Sequence, residues 1–118
     1  MTHKKVATAL VFIAAAATGG VPLAPAIAQA QDAAAIYAQR CVGCHGANGK
    51  GDGPAGKYLN PKPTDFAVSL KGKSDDWIAK VIKGGGAAVG ESPTMPPGSD
   101  LSDDQVKGLV DYVKHFNP

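Results

Sequence analysis

Residues 41–46 read Cys-Val-Gly-Cys-His-Gly, and Cys41 and Cys44 are the only two cysteines in the chain. Two thiols separated by two residues suit a redox disulfide, part of a zinc site or the thioether tether of a haem. Each needs different company. A redox dithiol expects a βαβ setting, and no convincing alternating stretch supplies its strands. Structural zinc takes four nitrogen or sulfur ligands. Cys41, Cys44 and His45 offer three at most, and Cys44 and His45 are adjacent. A further histidine, His115, lies four residues after Asp111 and off the apolar stripe of its segment, which suits a solvent-facing side chain. Covalent haem remains, because Cys-x-x-Cys-His is its attachment pattern. The two thiols add to the porphyrin vinyl groups, and two intervening residues span the gap between vinyls within one helical turn. The adjacent imidazole then reaches the iron.

The start of the 118-residue chain reads as a leader and not as part of the fold. His3, Lys4 and Lys5 precede an apolar run from Val6 to Ala17, then Gly19-Gly20 and Pro22. Ala26-Ile27-Ala28, overlapped by Ala28-Gln29-Ala30, supplies an A-x-A site. This is the pattern of a cleaved secretory signal, expected over residues 1–28, with cleavage after Ala30 as the alternative. The apolar run is too short to anchor the chain in a bilayer, and no cysteine follows the cleavage region to carry lipid. The expected product is a single domain over residues 31–118, exported to the periplasm. A covalent tether is useful there, where a loosely held haem could be lost.

Removing the leader also removes Lys4 and Lys5, which leaves ten basic against ten acidic residues. Such a balance gives no reason to expect a nucleic-acid partner. The charge is uneven, however. Lys50, Lys57, Lys62, Lys71, Lys73, Lys80 and Lys83 make the middle basic, whereas Glu91, Asp100, Asp103, Asp104 and Asp111 make the last third acidic. A domain this small has a limited core and often needs a metal or cofactor to hold it.

Three helices must position the motif. Asp32 can cap a first helix through Arg40, which places Tyr37, Cys41 and Cys44 on one face before Gly46 ends it. Residues 46–65 are dense in Gly, Pro, Asn and Asp and read as a long loop, of the length that a cofactor-wrapping segment would need. Ser74 opens a second helix, with Asp75 and Asp76 at its positive end and Trp77, Ile78, Val81 and Ile82 on its apolar face. Gly84-Gly85-Gly86 stops it. After a loop over 84–100, Ser102 caps the last helix, Gln105 completes a capping box, and Val106, Leu109, Val110 and Val113 form a stripe. The expected class is all-α.

Haem iron has a second axial position. The chain has two methionines, and Met1 belongs to the leader, so Met95 is the remaining thioether. It lies outside any expected helix, in a loop stiffened by Pro93, Pro96 and Pro97. A core-filling methionine would sit on an apolar stripe instead. His45 with Met95 is the pairing of electron-transfer haems, because thioether sulfur raises the potential.

From about Ala33 to Phe116 the chain resembles a small bacterial class I c-type cytochrome, on the motifs "CVGCHG", "GDGPAG" and "TMPPGSDLSDDQVKGLVDYV". The resemblance implies the cytochrome c fold, with first and last helices crossing near a right angle, haem between the loops and one haem edge exposed. It implies that Tyr37 packs against Leu109 and Tyr112, and that Ala33 takes a place commonly held by glycine. It further implies a proline carbonyl that accepts the His45 N–H, assigned to Pro54, with Pro61 and Pro63 competing. The implied function is monomeric one-electron transfer with one haem c, docking transiently with redox proteins. Lys50, Lys57 and Lys62 flank the haem-binding loop and are expected to steer such contacts. The alternatives are a subunit dedicated to one dehydrogenase or oxidase complex, and a gas sensor or peroxidase-like enzyme. The last would need an open iron position, and no second pocket histidine is available.

Overall fold

The computed structural model describes residues 19–20 and 24–116, with side chains from Asp32 onward. Residues 1–18 and 21–23, which hold the basic start and the apolar run of the expected leader, lie outside the described residues. The first helix, α1, spans Ala24–Arg40 and so begins well upstream of Asp32. The reason is local: alanine and glutamine dominate residues 24–31, and Pro25 sits in the first turn, where its missing N–H costs nothing. Asp32 is therefore inside the helix and does not cap it. Its Oδ2 lies 3.5 Å from Gln105 Nε2 on the last helix.

Helical hydrogen bonding continues past Arg40, with Cys41 N–H donating to Tyr37 O at 2.9 Å. A short helix, α2, covers Val42–His45 and stops at Gly46, whose φ of 79° is a left-handed value that favours glycine. The long loop that follows is not featureless. It contains a 3₁₀ turn over Gly56–Tyr58 and ends in α3, Phe66–Ser69, which Asp65 caps by accepting from Ala67 N–H at 2.8 Å.

The second long helix, α4 (Asp75–Gly84), begins as the sequence directs, with Ser74 Oγ accepting from Trp77 N–H at 3.2 Å. Gly85, at φ 77°, ends it and leads into a 3₁₀ turn over Gly86–Val89. The last helix, α5 (Asp103–Lys114), carries the full capping box: Gln105 N–H donates to Ser102 Oγ, and Ser102 N–H donates to Gln105 Oε1.

All regular elements among the described residues are helical, and α1, α4 and α5 are the three long ones. α5 packs on both α1 and α4. Its stripe, Val106, Leu109, Val110 and Val113, is wholly buried and meets Ala33 and Tyr37 of α1, Ile78 of α4 and Leu101. Trp77 and Ile82 pack against this cluster from its edge. Burying each such aliphatic side chain contributes roughly 1.5–3 kcal/mol. Ala33 is 1% exposed, so any larger side chain would push α1 off α5.

Candidate haem site

The attachment residues stand on one turn. Cys41 closes α1, Cys44 and His45 lie in α2, and His45 N–H donates to Cys41 O at 2.9 Å. Both cysteines are unbridged and half-buried. Burial pushes the Cys41 thiol above its ordinary pKa. Burial also lowers the pKa of His45, which favours the neutral imidazole that a metal requires. The ring nitrogen His45 Nδ1 is buried without any hydrogen-bond partner. A buried polar atom left unpaired is costly, and such atoms cluster at functional positions.

The following loop is laid directly on this turn, backbone to backbone. Gly51 N–H donates to His45 O at 2.8 Å, Gly53 N–H to Cys44 O at 3.2 Å, and Ala55 N–H to Gly43 O at 2.8 Å. The approach at Gly53 is so close that a Cβ there would lie 2.5 Å from the carbonyl oxygens of Val42 and Gly43. A Cβ at Gly56 would collide with Cys44 O. From α1, Tyr37 donates its hydroxyl to Gly46 O at 2.8 Å. Burial holds that phenol far above its ordinary pKa, so it remains a donor.

Aromatic rings form the other wall. Phe66 lies against the His45 imidazole with centroids 4.8 Å apart and planes tilted by 30°. Phe66 meets Phe116 at 6.2 Å, Phe116 meets Tyr37 at 5.3 Å, and Tyr37 meets Tyr112 at 5.2 Å. The Tyr37–Tyr112 contact and the shared burial of Tyr37 and Leu109 match what the resemblance implied.

Met95 sits apart, half-buried, in the loop after α4. Its carbonyl accepts from Gly86 N–H at 3.2 Å, and its own N–H donates to Ser92 O at 3.4 Å. Gly98 N–H returns the loop to Ile82 O at 2.8 Å. Arg40 then ties the far end of this loop to the attachment turn. Its guanidinium donates to both carboxylate oxygens of Asp100, each at 2.9 Å. Lys83 donates to Leu101 O beside it. Pro54 lies exposed at the turn before the Gly56–Tyr58 segment. The hydrogen bond expected between its carbonyl and His45 Nδ1 is not formed, since that nitrogen has no partner. His115 is exposed, with Nδ1 2.7 Å from Asp111 O. Three contacts had no expectation behind them: Phe66 on His45, the Tyr37 hydroxyl on Gly46, and Arg40 on Asp100.

A neutral histidine with an unspent nitrogen, two free thiols one turn apart and a glycine-lined wrap together fit a covalently held haem. Comparison with known proteins gives the same class. The family model for cytochrome c matches residues 30–117, and the chain belongs to that family. It is 34% identical over 82 residues to cytochrome c-552 of Nitrosomonas europaea, across 70% of this chain and 75% of that protein. Two solved structures are similar at 28% identity, each covering 74% of this chain. One is a chain of a reducing HAO-like protein complex of Kuenenia stuttgartiensis, with a TM-score of 0.61. The match spans 42% of that longer chain. The other is a c-type cytochrome, with a TM-score of 0.57 and 99% of its length covered. The fold is the all-α cytochrome c fold, the cofactor is haem c, and Cys41, Cys44 and His45 fit its attachment motif. The chain is a haem c electron carrier.

Proposed function

We propose that the protein is a periplasmic one-electron carrier in which His45 and Met95 are the axial ligands of a haem held by Cys41 and Cys44. When bound, the haem supplies a one-electron Fe(III)/Fe(II) couple. The observation that carries the reading is the half-buried His45 imidazole, its pKa lowered by burial and its Nδ1 unpartnered, on the same turn as both thiols. The backbone bonds from Gly51 and Gly53 hold that turn still, so little rearranges when the iron charge changes. Met95 is presented by a loop pinned at Gly86, Gly98 and Asp100, which suits a ligand that stays in place. Pro54 belongs to the loop that wraps the haem, without the hydrogen bond to His45. The secretory leader over residues 1–28 is removed, leaving a monomeric domain over 31–118. No helix among the described residues is long and apolar enough to cross a membrane. Redox proteins dock transiently at the exposed haem edge, with Lys50, Lys57 and Lys62 steering the encounter.

The testing measurement is the optical spectrum of the matured protein, extended into the near infrared and repeated in the reduced state with carbon monoxide. Low-spin iron, a sulfur-to-iron band lost in Met95→Ala and no carbon monoxide binding are expected. High-spin iron or ready carbon monoxide binding would sink Met95 as a ligand and favour a sensor or enzyme. Reversing the charge at all three lysines should slow partner association and flatten its salt dependence.

A second reading draws on one observation, the likeness to a chain of a multi-protein complex. In that reading the chain is a carrier dedicated to one larger enzyme. Co-purification with such a complex at native abundance would favour it, and a free monomer would favour the shuttle.

A further inference from the structure

The loop that carries Met95 lies against the end of α4 with main chain on main chain, and Gly85, Gly86 and Gly98 are buried at the points of contact. Gly85 stands at φ 77° and ψ 175°, a region that is essentially reserved to glycine. A Cβ there would lie 2.7 Å from Met95 O, 3.0 Å from Pro97 N and 3.2 Å from the Pro96 carbonyl carbon. The atoms it would strike are backbone, which cannot rotate aside as a side chain can. Gly86 donates its N–H to Met95 O at 3.2 Å and accepts from Glu91 N–H at 2.9 Å, and a Cβ there would collide with Ser92 O. Gly98 makes the same approach from the other side. Its N–H donates to Ile82 O of α4 at 2.8 Å, and a Cβ would lie 2.9 Å from that oxygen. Little else holds this segment. Pro96 and Pro97 have no N–H to donate, and the bond from Met95 N–H to Ser92 O is long at 3.4 Å.

We infer that Gly85, Gly86 and Gly98 are positioning residues for Met95: their missing side chains seat its backbone on the end of α4 and so fix the place from which its thioether reaches. A methionine side chain has three rotatable bonds and adapts readily, so a single sulfur position demands a backbone that does not move. The inference rests on the reading of Met95 as an axial ligand.

The test compares alanine at Gly85 with alanine at Gly90 in the matured ferric holoprotein. Both glycines lie between α4 and Met95 and have positive φ, 77° and 78°, but a Cβ at Gly90 meets nothing within 4 Å. Gly85→Ala should weaken or abolish the near-infrared sulfur-to-iron band. It should also raise the affinity of added imidazole about tenfold, because letting go of the sulfur relieves the backbone strain. Helix content by circular dichroism should stay at the wild-type level. Gly90→Ala should leave the band and the imidazole affinity unchanged. An unchanged band and affinity in folded Gly85→Ala would overturn the inference. So would an equal loss in Gly90→Ala, which would make backbone strain the cause and not contact with Met95. If Gly85→Ala does not accumulate with haem, Gly98→Ala, which pushes the same segment from its other end without a positive φ, is read by the same criterion. The underlying ligand reading fails differently. In that case wild type itself has no sulfur-to-iron band, and Met95→Ala leaves its spectrum as it was.

Discussion

The loop after His45 and the loop that carries Met95 are tied to the attachment turn by different means. The His45 side is laid down backbone on backbone, with Gly51, Gly53 and Ala55 bonded to the attachment turn and aromatic rings behind the imidazole. The Met95 loop is also bonded backbone to backbone, at Gly86 and Gly98, but its tie to the attachment turn is the exposed Arg40–Asp100 pair. Buried backbone contacts tolerate almost no change, whereas exposed ion pairs contribute little and are screened. The difference teaches that the His45 turn is gripped by its own loop through close backbone contacts, whereas the Met95 loop reaches that turn through one exposed ion pair. Any loosening of the two segments against each other should begin at that pair.

The largest effect tests whether the proximal turn is the anchor at all. Replacing both Cys41 and Cys44 by serine should abolish covalent haem, read as loss of haem stain from the denatured protein. Next comes the contrast between two glycines. Gly53→Ala puts a Cβ into two main-chain carbonyls that cannot retreat. It should cost about 3 kcal/mol in denaturant unfolding, the upper range for overpacking. Gly90→Ala, at φ 78° with nothing within 4 Å of the new Cβ, should cost only the left-handed penalty of about 1 kcal/mol. Equal costs would show that the wrap at Gly53 is no tighter than an open turn.

Tyr37→Phe removes a buried hydrogen bond but leaves Gly46 O its second donor, Gly49 N–H at 3.2 Å. The loss should therefore stay near 1 kcal/mol in the same assay. The smallest effect falls on the Met95 loop. Hydrogen bonding to Arg40, then the charges of Arg40 and Lys83, hold the Asp100 carboxyl below its usual range. The tie is therefore complete above the ordinary carboxylate pKa and is lost as pH falls through the lowered value. Asp100→Asn should raise the affinity of added imidazole for the ferric protein a few-fold at neutral pH.

Much of this frame was legible in the residues. Ser74 and Ser102 cap where their chemistry places them, the glycines at 84–86 stop α4, and the α5 stripe is the core, because each signal is local or periodic. The start of α1 was misplaced, since alanine-rich sequence carries a helix onward through a residue that could have capped it. The short α3 is too brief to have a period, although Asp65 before Phe66 was its one available sign. In the site, the thiols and His45 are written as a motif. Phe66 and Asp100 are not, because their partners are distant along an aperiodic chain and only the folded loops bring them close. Pro54 was expected to accept from His45, and His45 Nδ1 has no partner.

The aromatic rings behind His45 come from α1, from the start of α3 and from the turn after α5. The imidazole is thus written early in the chain but framed by a residue near its end. Until that last ring docks, the aromatic wall behind the imidazole is unfinished. A chain cut off before Phe116 would keep the motif and lose that wall.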